Sequence, residues 1–332
     1  MALTQISPGI LDSNAQYYGF KNRIINGAMG IWQRGTSFTS SPSYTADRWS
    51  AFGYSWVNVS QSTSVPTGFQ YSIKVGRPSG NTSTNTVIIG QAVESTNCYD
   101  LAGQTVTLSF WAKAGANFSG SNSFVAQIAT GTVADQGLTS YPSWTGYTSP
   151  VATALSISTT WTKYTVTGTF GSGVLETAVI IYYVPSGTAG ADDAIYITGV
   201  QLEKGSTATS FDVRPYGTEL MLCQRYLPCL NSSSTTDSIS LAYTPSTTIV
   251  RCDVPFKVTP RVPPTGISVS SASHLTWDTG GASGTPSAVT FTSSSLQTGR
   301  VALAVTGATV GQCAAVGFNS ASGQIQFTGC EL

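Results

Sequence analysis

Short segments in which apolar residues alternate with hydroxyl residues follow one another along most of this chain. In residues 106–111 the alternation places Val106, Leu108 and Phe110 on one face, and residues 161–170 repeat the pattern. A period of two residues is typical of β-strands that cover a core with one face. Serine and threonine make up 91 of the 332 residues, whereas only 5 are glutamate and 3 are methionine. Because this composition disfavours helices, the sequence predicts an all-β protein.

The order of these segments predicts four regions. Residues 1–25 lack a sustained period and are expected to form an N-terminal arm. Residues 26–214 carry the strands of a jelly-roll β-sandwich, and residues 215–230 carry a short helix and a linker. Further short strands in residues 231–332 predict a second, smaller C-terminal β-sandwich.

One segment, residues 216–227, has a helical pattern. Its apolar side chains recur at helical spacing, and Thr218 is the expected N-cap. Pro228 ends the helix because proline has no backbone N–H and clashes with the preceding turn.

The charge balance excludes some classes of partner. The 15 basic residues equal the 15 acidic ones, so the chain has no basic excess with which to neutralise phosphates, and no nucleic-acid binding is expected. The densest apolar run, residues 178–184, is far shorter than the roughly 20 residues of a membrane span, so no membrane insertion is expected. The first residues, MALTQISPGILDSN, show no secretory signal.

The cysteines do not form a metal pattern. Six cysteines are spread along the chain without a CxxC motif, and the single histidine, His274, is distant from them in sequence. Because no secretory signal is visible, the sequence favours free and mostly buried thiols over a disulfide framework.

The residues needed for hydrolytic catalysis are scarce. His274 lies in a serine-rich segment without the glycine pattern of a nucleophile elbow. Asp192 and Asp193 are adjacent at the start of a predicted strand, so their side chains point to opposite faces and cannot act as a pair. We therefore expect no catalytic residue and no enzymatic activity. The same two aspartates are weak candidates for a structural Ca²⁺ site, with an ordinary loop as the alternative, and no other cofactor is expected.

The segment YPSWTGY, residues 141–147, concentrates three aromatic side chains in a loop that contains proline and glycine. Tyr141, Trp144 and Tyr147 cannot all be core residues of one strand. Exposed rings offer large, rigid faces with a polar tip, which suits stacking on sugar rings. These three residues are therefore the candidate glycan-binding residues. The alternative is that the loop packs on its own domain or on a neighbouring subunit.

Several longer motifs resemble those of bacteriophage tail-fibre and virion-surface proteins. The opening motifs are NRIINGAM (22–29), WQRG (32–35) and YTADRW (44–49), and the closing motifs are GVQLEKGSTATSF (199–211), YGTEL (216–220) and CQRY (223–226). Two segments between them look like strands of carbohydrate-binding-module jelly rolls, LSFWAK (108–113) and TWTKY (160–164). Two later segments resemble the C-terminal domains of such fibres, VPFKVTPRVPP (254–264) and FTGCEL (327–332). The motif residues are predicted to be structural rather than to contact a ligand.

The resemblance implies a virion-surface protein that is assembled in the host cytoplasm. The leading interpretation is a homotrimeric tail fibre that attaches to a host surface polysaccharide, with residues 1–25 docking on other virion proteins. The neutral, hydroxyl-rich composition independently suits recognition of a neutral polysaccharide. The alternative is a capsid decoration or cement protein that binds no receptor. A capsule depolymerase is disfavoured because such spikes are typically built on repeats, which this chain lacks.

Overall fold

The computed structural model describes residues 20–39, 44–52, 57–120 and 123–332. The chain divides into two compact units: unit 1 ends at Glu219 and also includes Leu332, and unit 2 covers residues 220–331. The predicted arm, residues 1–25, lies for the most part outside the described residues, but its boundary at residue 25 is wrong, because Asn22, Ile24 and Ile25 are buried in unit 1.

The regular secondary structure of unit 1 consists almost entirely of β-strands. They are β1 (Ser37–Phe38), β2 (Ser50–Phe52), β3 (Asn58–Ser62), β4 (Ser72–Gly76), β5 (Val87–Val93), β6 (Thr105–Ala114), β7 (Val125–Gly131), β8 (Thr148–Ala154), β9 (Thr162–Thr169), β10 (Glu176–Tyr183) and β11 (Ala194–Lys204). Short 3₁₀ helices occupy Ser95–Asn97, Tyr99–Leu101 and Leu138–Ser140. The predicted all-β class is confirmed.

The strands of unit 1 form two antiparallel sheets. The six-stranded sheet has the order β1-β3-β4-β11-β6-β9, and the five-stranded sheet has the order β2-β5-β10-β7-β8. The eight strands from β4 to β11 can be numbered 1 to 8 in chain order. The six-stranded sheet then contains strands 1, 8, 3 and 6 of this set, and the five-stranded sheet contains strands 2, 7, 4 and 5. This is the strand order of a jelly roll, as predicted.

The core of unit 1 lies between the two sheets. Its largest fully buried side chains include Trp49, Phe110, Phe124 and Tyr183. Burying an apolar side chain of this size contributes about 1.5–3 kcal/mol each, so this layer is a main source of stability. β10 is central in its sheet, and all of its side chains except that of Tyr182 are buried. The strand covered on both faces that the apolar run predicted is therefore confirmed.

The opening sequence motif lies along β11 of the six-stranded sheet and is bonded to it. β4 pairs with only the first part of β11, and beyond that point residues 22–27 run beside β11. The Arg23 N–H donates to the Leu202 carbonyl at 2.9 Å, and the Val200 N–H donates to the Gly27 carbonyl at 2.9 Å. The first and last motifs of unit 1 are thus neighbours in space.

Asn22 is the centre of this contact. Its side-chain Nδ2 donates to the Val200 carbonyl at 3.0 Å, and its Oδ1 accepts from the backbone N–H groups of Ile24 and Leu202 at 2.9 and 3.1 Å. The Arg214 guanidinium donates to the Asn22 and Ile24 carbonyls. Because these groups are buried, each one needs a partner, which explains a structural role for the motif.

The one α-helix among the described residues, α1 (Tyr216–Gln224), follows the sandwich. The predicted helix is confirmed, but it ends at Gln224 rather than at residue 227. It also begins two residues before Thr218, so the prediction that Thr218 is the N-cap is wrong. Glu219 in the first turn pairs with Arg214 at 3.2 Å and accepts the backbone N–H of Asn26. Among the described residues, no helix is long and apolar enough to cross a membrane.

A buried ion pair ties the loops at one end of unit 1. The side chains of Arg77 and Asp193 are fully buried, and Arg77 Nε donates to Asp193 Oδ2 at 2.7 Å. The guanidinium also donates to the carbonyls of Ser83 and Gly187 at 2.7 and 3.0 Å. Asp193 Oδ1 accepts the backbone N–H of Ser119 at 2.9 Å. One charged pair therefore connects three loops, which join β4 to β5, β6 to β7 and β10 to β11.

Unit 2 is a second, smaller sandwich. Its strands are β12 (Cys229–Asn231), β13 (Ser238–Ser246), β14 (Ile249–Pro255), β15 (Gly266–Val269), β16 (Leu275–Asp278), β17 (Ser283–Gly284), β18 (Ala288–Ser294), β19 (Thr298–Ala304), β20 (Cys313–Phe318) and β21 (Gln324–Thr328), and a 3₁₀ helix occupies Ala272–His274. A seven-stranded sheet, β17-β16-β20-β13-β14-β19-β18, packs on the three-stranded sheet β12-β21-β15. Trp277 from the larger sheet and Phe327 from the smaller one lie in the shared core.

Candidate functional site

The outer face of the five-stranded sheet carries polar side chains that point away from the core. On β7, Ala126 and Ile128 face the core, so Gln127 between them faces outward. On β10, Ile181 and Tyr183 face the core, so Tyr182 faces outward. The two outward residues lie on adjacent strands of one face.

The loop of residues 132–147 folds back over this face. The Tyr141 hydroxyl donates to Gln127 Oε1 at 2.8 Å. Gln127 Nε2 donates to the Tyr147 hydroxyl at 2.8 Å and to Ser149 Oγ at 3.0 Å. A single, almost fully buried glutamine therefore fixes the two loop tyrosines.

The tyrosine rings pack edge to face and remain half-buried. The centroids of the Tyr141 and Tyr147 rings are 5.7 Å apart, with an interplanar angle of 72°. Burial and the hydrogen bond to Tyr147 raise the pKa of Tyr141 above its ordinary value, and burial with the nearby Tyr147 raises the pKa of Tyr182. Tyr141 and Tyr182 therefore stay protonated at neutral pH. We call Gln127, Tyr141, Tyr147 and Tyr182 the tyrosine face.

Trp144 does not belong to this face. Its side chain is only 3% exposed, and its indole N–H donates to the Gly137 carbonyl at 3.0 Å. The Trp144 ring contacts Tyr141 edge to face at 6.1 Å. The prediction that Trp144 offers an exposed ring to a sugar is wrong, because the loop packs on its own domain. Tyr141 and Tyr147 remain as candidates from the predicted trio.

Two residues of the tyrosine face were missed by the sequence reasoning. Tyr182 lies in an apolar run that predicts burial on both faces, and Gln127 is the single amide in a strand whose one other polar side chain is that of Thr130. An isolated amide at an outward position of a strand is the signal that could have identified Gln127.

Asp192 and Asp193 are separately neutralised, which does not fit the Ca²⁺ site considered from the sequence. Asp193 is paired with Arg77. Asp192 Oδ1 lies 2.8 Å from Lys74 Nζ and accepts the Tyr196 hydroxyl at 2.9 Å. Burial opposes ionisation of Asp192, but the hydrogen bonds from Lys74, a backbone N–H and Tyr196 together hold its pKa below the ordinary value. Within the described ranges, no three His, Cys, Asp or Glu side chains converge as metal ligands.

His274 lies at the surface of unit 2. Its Nδ1 is 2.9 Å from Ser270 Oγ, which also accepts the backbone N–H of Gln324 at 3.0 Å. These bonds fix the short 3₁₀ helix that ends at His274.

The thiols are mostly buried, as predicted. Five of the six are buried, Cys98, Cys223, Cys229, Cys252 and Cys330, whereas Cys313 is exposed. Burial raises the pKa of Cys98 and of Cys252 to about 12 and that of Cys330 to about 11. These three thiols are therefore poor nucleophiles.

Glu176 is a buried carboxyl to which no cation of the described residues is hydrogen-bonded. Glu176 at the start of β10 is fully buried, and its Oε2 accepts the backbone N–H of Gln136 at 2.9 Å. Burial raises the pKa of Glu176 to about 8. The carboxyl is thus largely protonated at neutral pH, so its contribution to the free energy of unfolding falls as pH rises from the ordinary pKa of 4.5 to about 8.

No protein-family model matches the chain, and no curated protein is similar to it. Among solved structures, the chain is similar to the enzymatically active domain of tailspike protein 4 of bacteriophage CBA120, at 16% identity and a TM-score of 0.37 over 56% of this chain and 22% of that one. A putative sugar-binding protein from Bacteroides thetaiotaomicron has 14% identity and a TM-score of 0.35 over 55% of this chain and 100% of that one. The CBM22-1 xylan-binding domain of Paenibacillus barcinonensis Xyn10C has 16% identity and a TM-score of 0.31 over 52% and 94%. The assignment of unit 1 as a jelly roll rests on its strand order.

Proposed function

We propose that the protein is a non-enzymatic bacteriophage virion protein, a tail fibre whose unit 1 attaches the particle to a neutral glycan on the host surface. The observation that carries the glycan site is the tyrosine face. There, two half-buried loop tyrosines are held by Gln127 beside Tyr182 on one uncharged sheet surface.

The chemistry of this face suits a sugar. A tyrosine ring supplies apolar area for the C–H face of a pyranose, and its hydroxyl exchanges hydrogen bonds with sugar hydroxyls. Because Gln127 already fixes the Tyr141 and Tyr147 hydroxyls, little side-chain freedom is lost on binding. No charged residue belongs to the face, which favours a neutral ligand.

Binding of neutral polysaccharides tests the site. Affinity electrophoresis or a glycan array would compare the wild type with a Tyr147→Ala/Tyr182→Ala variant. Tyr99→Ala is the matched control because Tyr99 is exposed elsewhere in unit 1. We expect a saturable interaction that the double variant loses and the control keeps. Binding that survives the double substitution, with native circular dichroism, would place the glycan site elsewhere.

The virion role rests on the sequence resemblance and on the packing of its motifs. Asn22 and the closing motif at Val200 and Leu202 bind each other, so the residues that carry the resemblance form one structural feature. In this proposal the part of the predicted arm that precedes Asn22 docks on the virion, because residues 22–25 belong to unit 1, and the fibre is a homotrimer. Sedimentation equilibrium tests the trimer, and a monomer at every concentration would refute it.

The alternative roles make different predictions. Antibody labelling of particles would place a tail fibre on the tail and a capsid decoration protein on the capsid faces. Incubation with host capsular polysaccharide should release no reducing ends, and their release would replace the non-enzymatic proposal with a depolymerase.

A further inference from the structure

Cationic and aromatic side chains alternate across the outer face of the six-stranded sheet. Tyr196 on β11 is paired in register with Lys74 on β4 and with Lys113 on β6, so the three side chains share one face. Ser60 on β3 is paired with Lys74, and Trp161, which directly precedes β9, lies beside Lys113. Neighbouring strands are about 4.8 Å apart, so this line of five residues spans roughly 19 Å.

The ammonium groups lie over the rings. Lys74 Nζ is 5.4 Å from the centroid of the Tyr196 ring, and Lys113 Nζ is 4.7 Å from the same centroid. Lys113 Nζ is also 5.8 Å from the centroid of Trp161. These distances are those of cation–π contacts.

A second pair extends the pattern. One step along the strands, Trp111 on β6 is paired in register with Lys163 on β9. We call this set the lysine face: Lys74, Lys113, Lys163, Tyr196, Trp111 and Trp161. It contains half of the six lysines of the chain.

The lysine face has an excess of positive charge although the chain has none. Lys74 is compensated by Asp192. In the part of the chain that the structure describes, no carboxylate lies within ion-pair distance of Lys113 or Lys163. Glu203, farther along β11, is buried and accepts hydrogen bonds from Thr209.

Two further observations point to a ligand. A polar groove of about 200 Å³ adjoins Lys74, and its lining includes Phe38, Ser60 and Asp192. At the other end of the line, the indole N–H of Trp161 has no hydrogen-bond partner among the described residues. A buried donor without an acceptor is unfavourable, and a ligand oxygen that reached this N–H would satisfy it.

We propose that the lysine face binds an anionic polysaccharide, one whose sugars carry carboxylate or sulfate groups. The ammonium groups of Lys113 and Lys163 bind the anionic groups, and the half-buried rings of Trp111 and Trp161 pack on sugar faces, whereas the Tyr196 ring is buried beneath the lysines. This site lies on the sheet opposite the tyrosine face and takes a different class of ligand, so it goes beyond the function proposed above.

The test measures the binding of the full chain to defined polymers by isothermal titration calorimetry at two salt concentrations. Polygalacturonate supplies carboxylates, heparin supplies sulfates, and inorganic polyphosphate supplies charge without sugar rings. We expect binding to polygalacturonate, to heparin or to both, which identifies the anionic group, and we expect the affinity to fall as salt rises. Failure to bind either polysaccharide, or equally tight binding of polyphosphate, would overturn the proposal.

The variants separate this site from the tyrosine face. Lys113→Gln/Lys163→Gln should weaken binding about tenfold or more. Lys204→Gln/Lys257→Gln, which removes the same charge elsewhere, and Tyr147→Ala/Tyr182→Ala should bind the acidic polymer as the wild type does. The proposal fails if the lysine-face variant binds normally, or if the charge-matched control loses as much affinity. Loss of neutral-glycan binding alone would concern only the tyrosine face.

Discussion

Replacing Asp193 by asparagine should strongly destabilise unit 1. The substitution keeps the shape of the side chain but leaves the Arg77 guanidinium buried without a counter-charge. Both side chains are fully buried at an Nε–Oδ2 distance of 2.7 Å. Breaking such a pair by removing one partner costs about 3–5 kcal/mol. For a unit of roughly 200 residues this lowers Tm by about 6–20 °C.

Tryptophan fluorescence is a suitable assay because it distinguishes the units. Six of the seven tryptophans precede residue 220, and Trp277 is the single one in unit 2. Urea and thermal unfolding followed by fluorescence therefore report mainly on unit 1, whereas global probes would mix two transitions.

Asp100→Asn is the matched control in the same unit. The Arg23–Asp100 pair has a similar distance, 2.7 Å, but its side chains are 24% and 36% exposed. Solvent screens such a pair, so its loss should cost no more than about 1 kcal/mol. If Asp193→Asn also costs less than about 1 kcal/mol, the claim that this ion pair holds the loops together is refuted.

Three further predictions concern single positions. Burial raises the pKa of Glu176 to about 8 from an ordinary 4.5, so unfolding releases its proton between these pH values. The free energy of unfolding should therefore fall as pH rises through that window. Urea titrations at pH 5 and pH 9 measure this fall, and Glu176→Gln should remove the part that is due to Glu176. Native protein should react at one thiol, Cys313, with a maleimide and at six in denaturant, and mass spectrometry that finds a second fast site would contradict the described burial. In Gly27→Ala the new Cβ would lie 2.1 Å from the Val200 carbonyl oxygen, so the free energy of unfolding of unit 1 should fall by about 1–3 kcal/mol. In the control Gly30→Ala the new Cβ meets nothing within 4 Å, so the same unfolding assay should find the stability of the wild type.

The fold could be predicted because its signals are local. The alternation in residues 106–111 indicates a strand with one buried face. The unbroken apolar run in residues 178–184 indicates a strand with two buried faces. Pro228 likewise sets a limit that α1 does not pass, although the helix ends earlier, at Gln224. The start of α1 was misplaced because Glu219 binds Arg214 and Asn26, and these contacts join residues far apart in sequence.

The candidate sites depend on non-local contacts, and the sequence could predict them only in part. The loop at 141–147 has the composition of an exposed ring cluster, but hydrogen bonds to Gln127 draw its tyrosines inward and Trp144 becomes buried. The lysine face is invisible in the sequence because Lys74 and Lys113 are adjacent only through their shared partner on β11.

The clasp between Asn22 and the end of β11 has an evolutionary consequence. The segments that close unit 1 at its beginning and at its end bind each other, and the sandwich lies between them in sequence. A gene fragment that spans both segments therefore encodes its own closure. Recombination at these two places would transfer an intact sandwich into another gene, whereas exchange within the intervening strands would separate partners that must pair. Such exchange would leave related proteins in which the residues of the binding faces differ and the residues of the clasp stay the same.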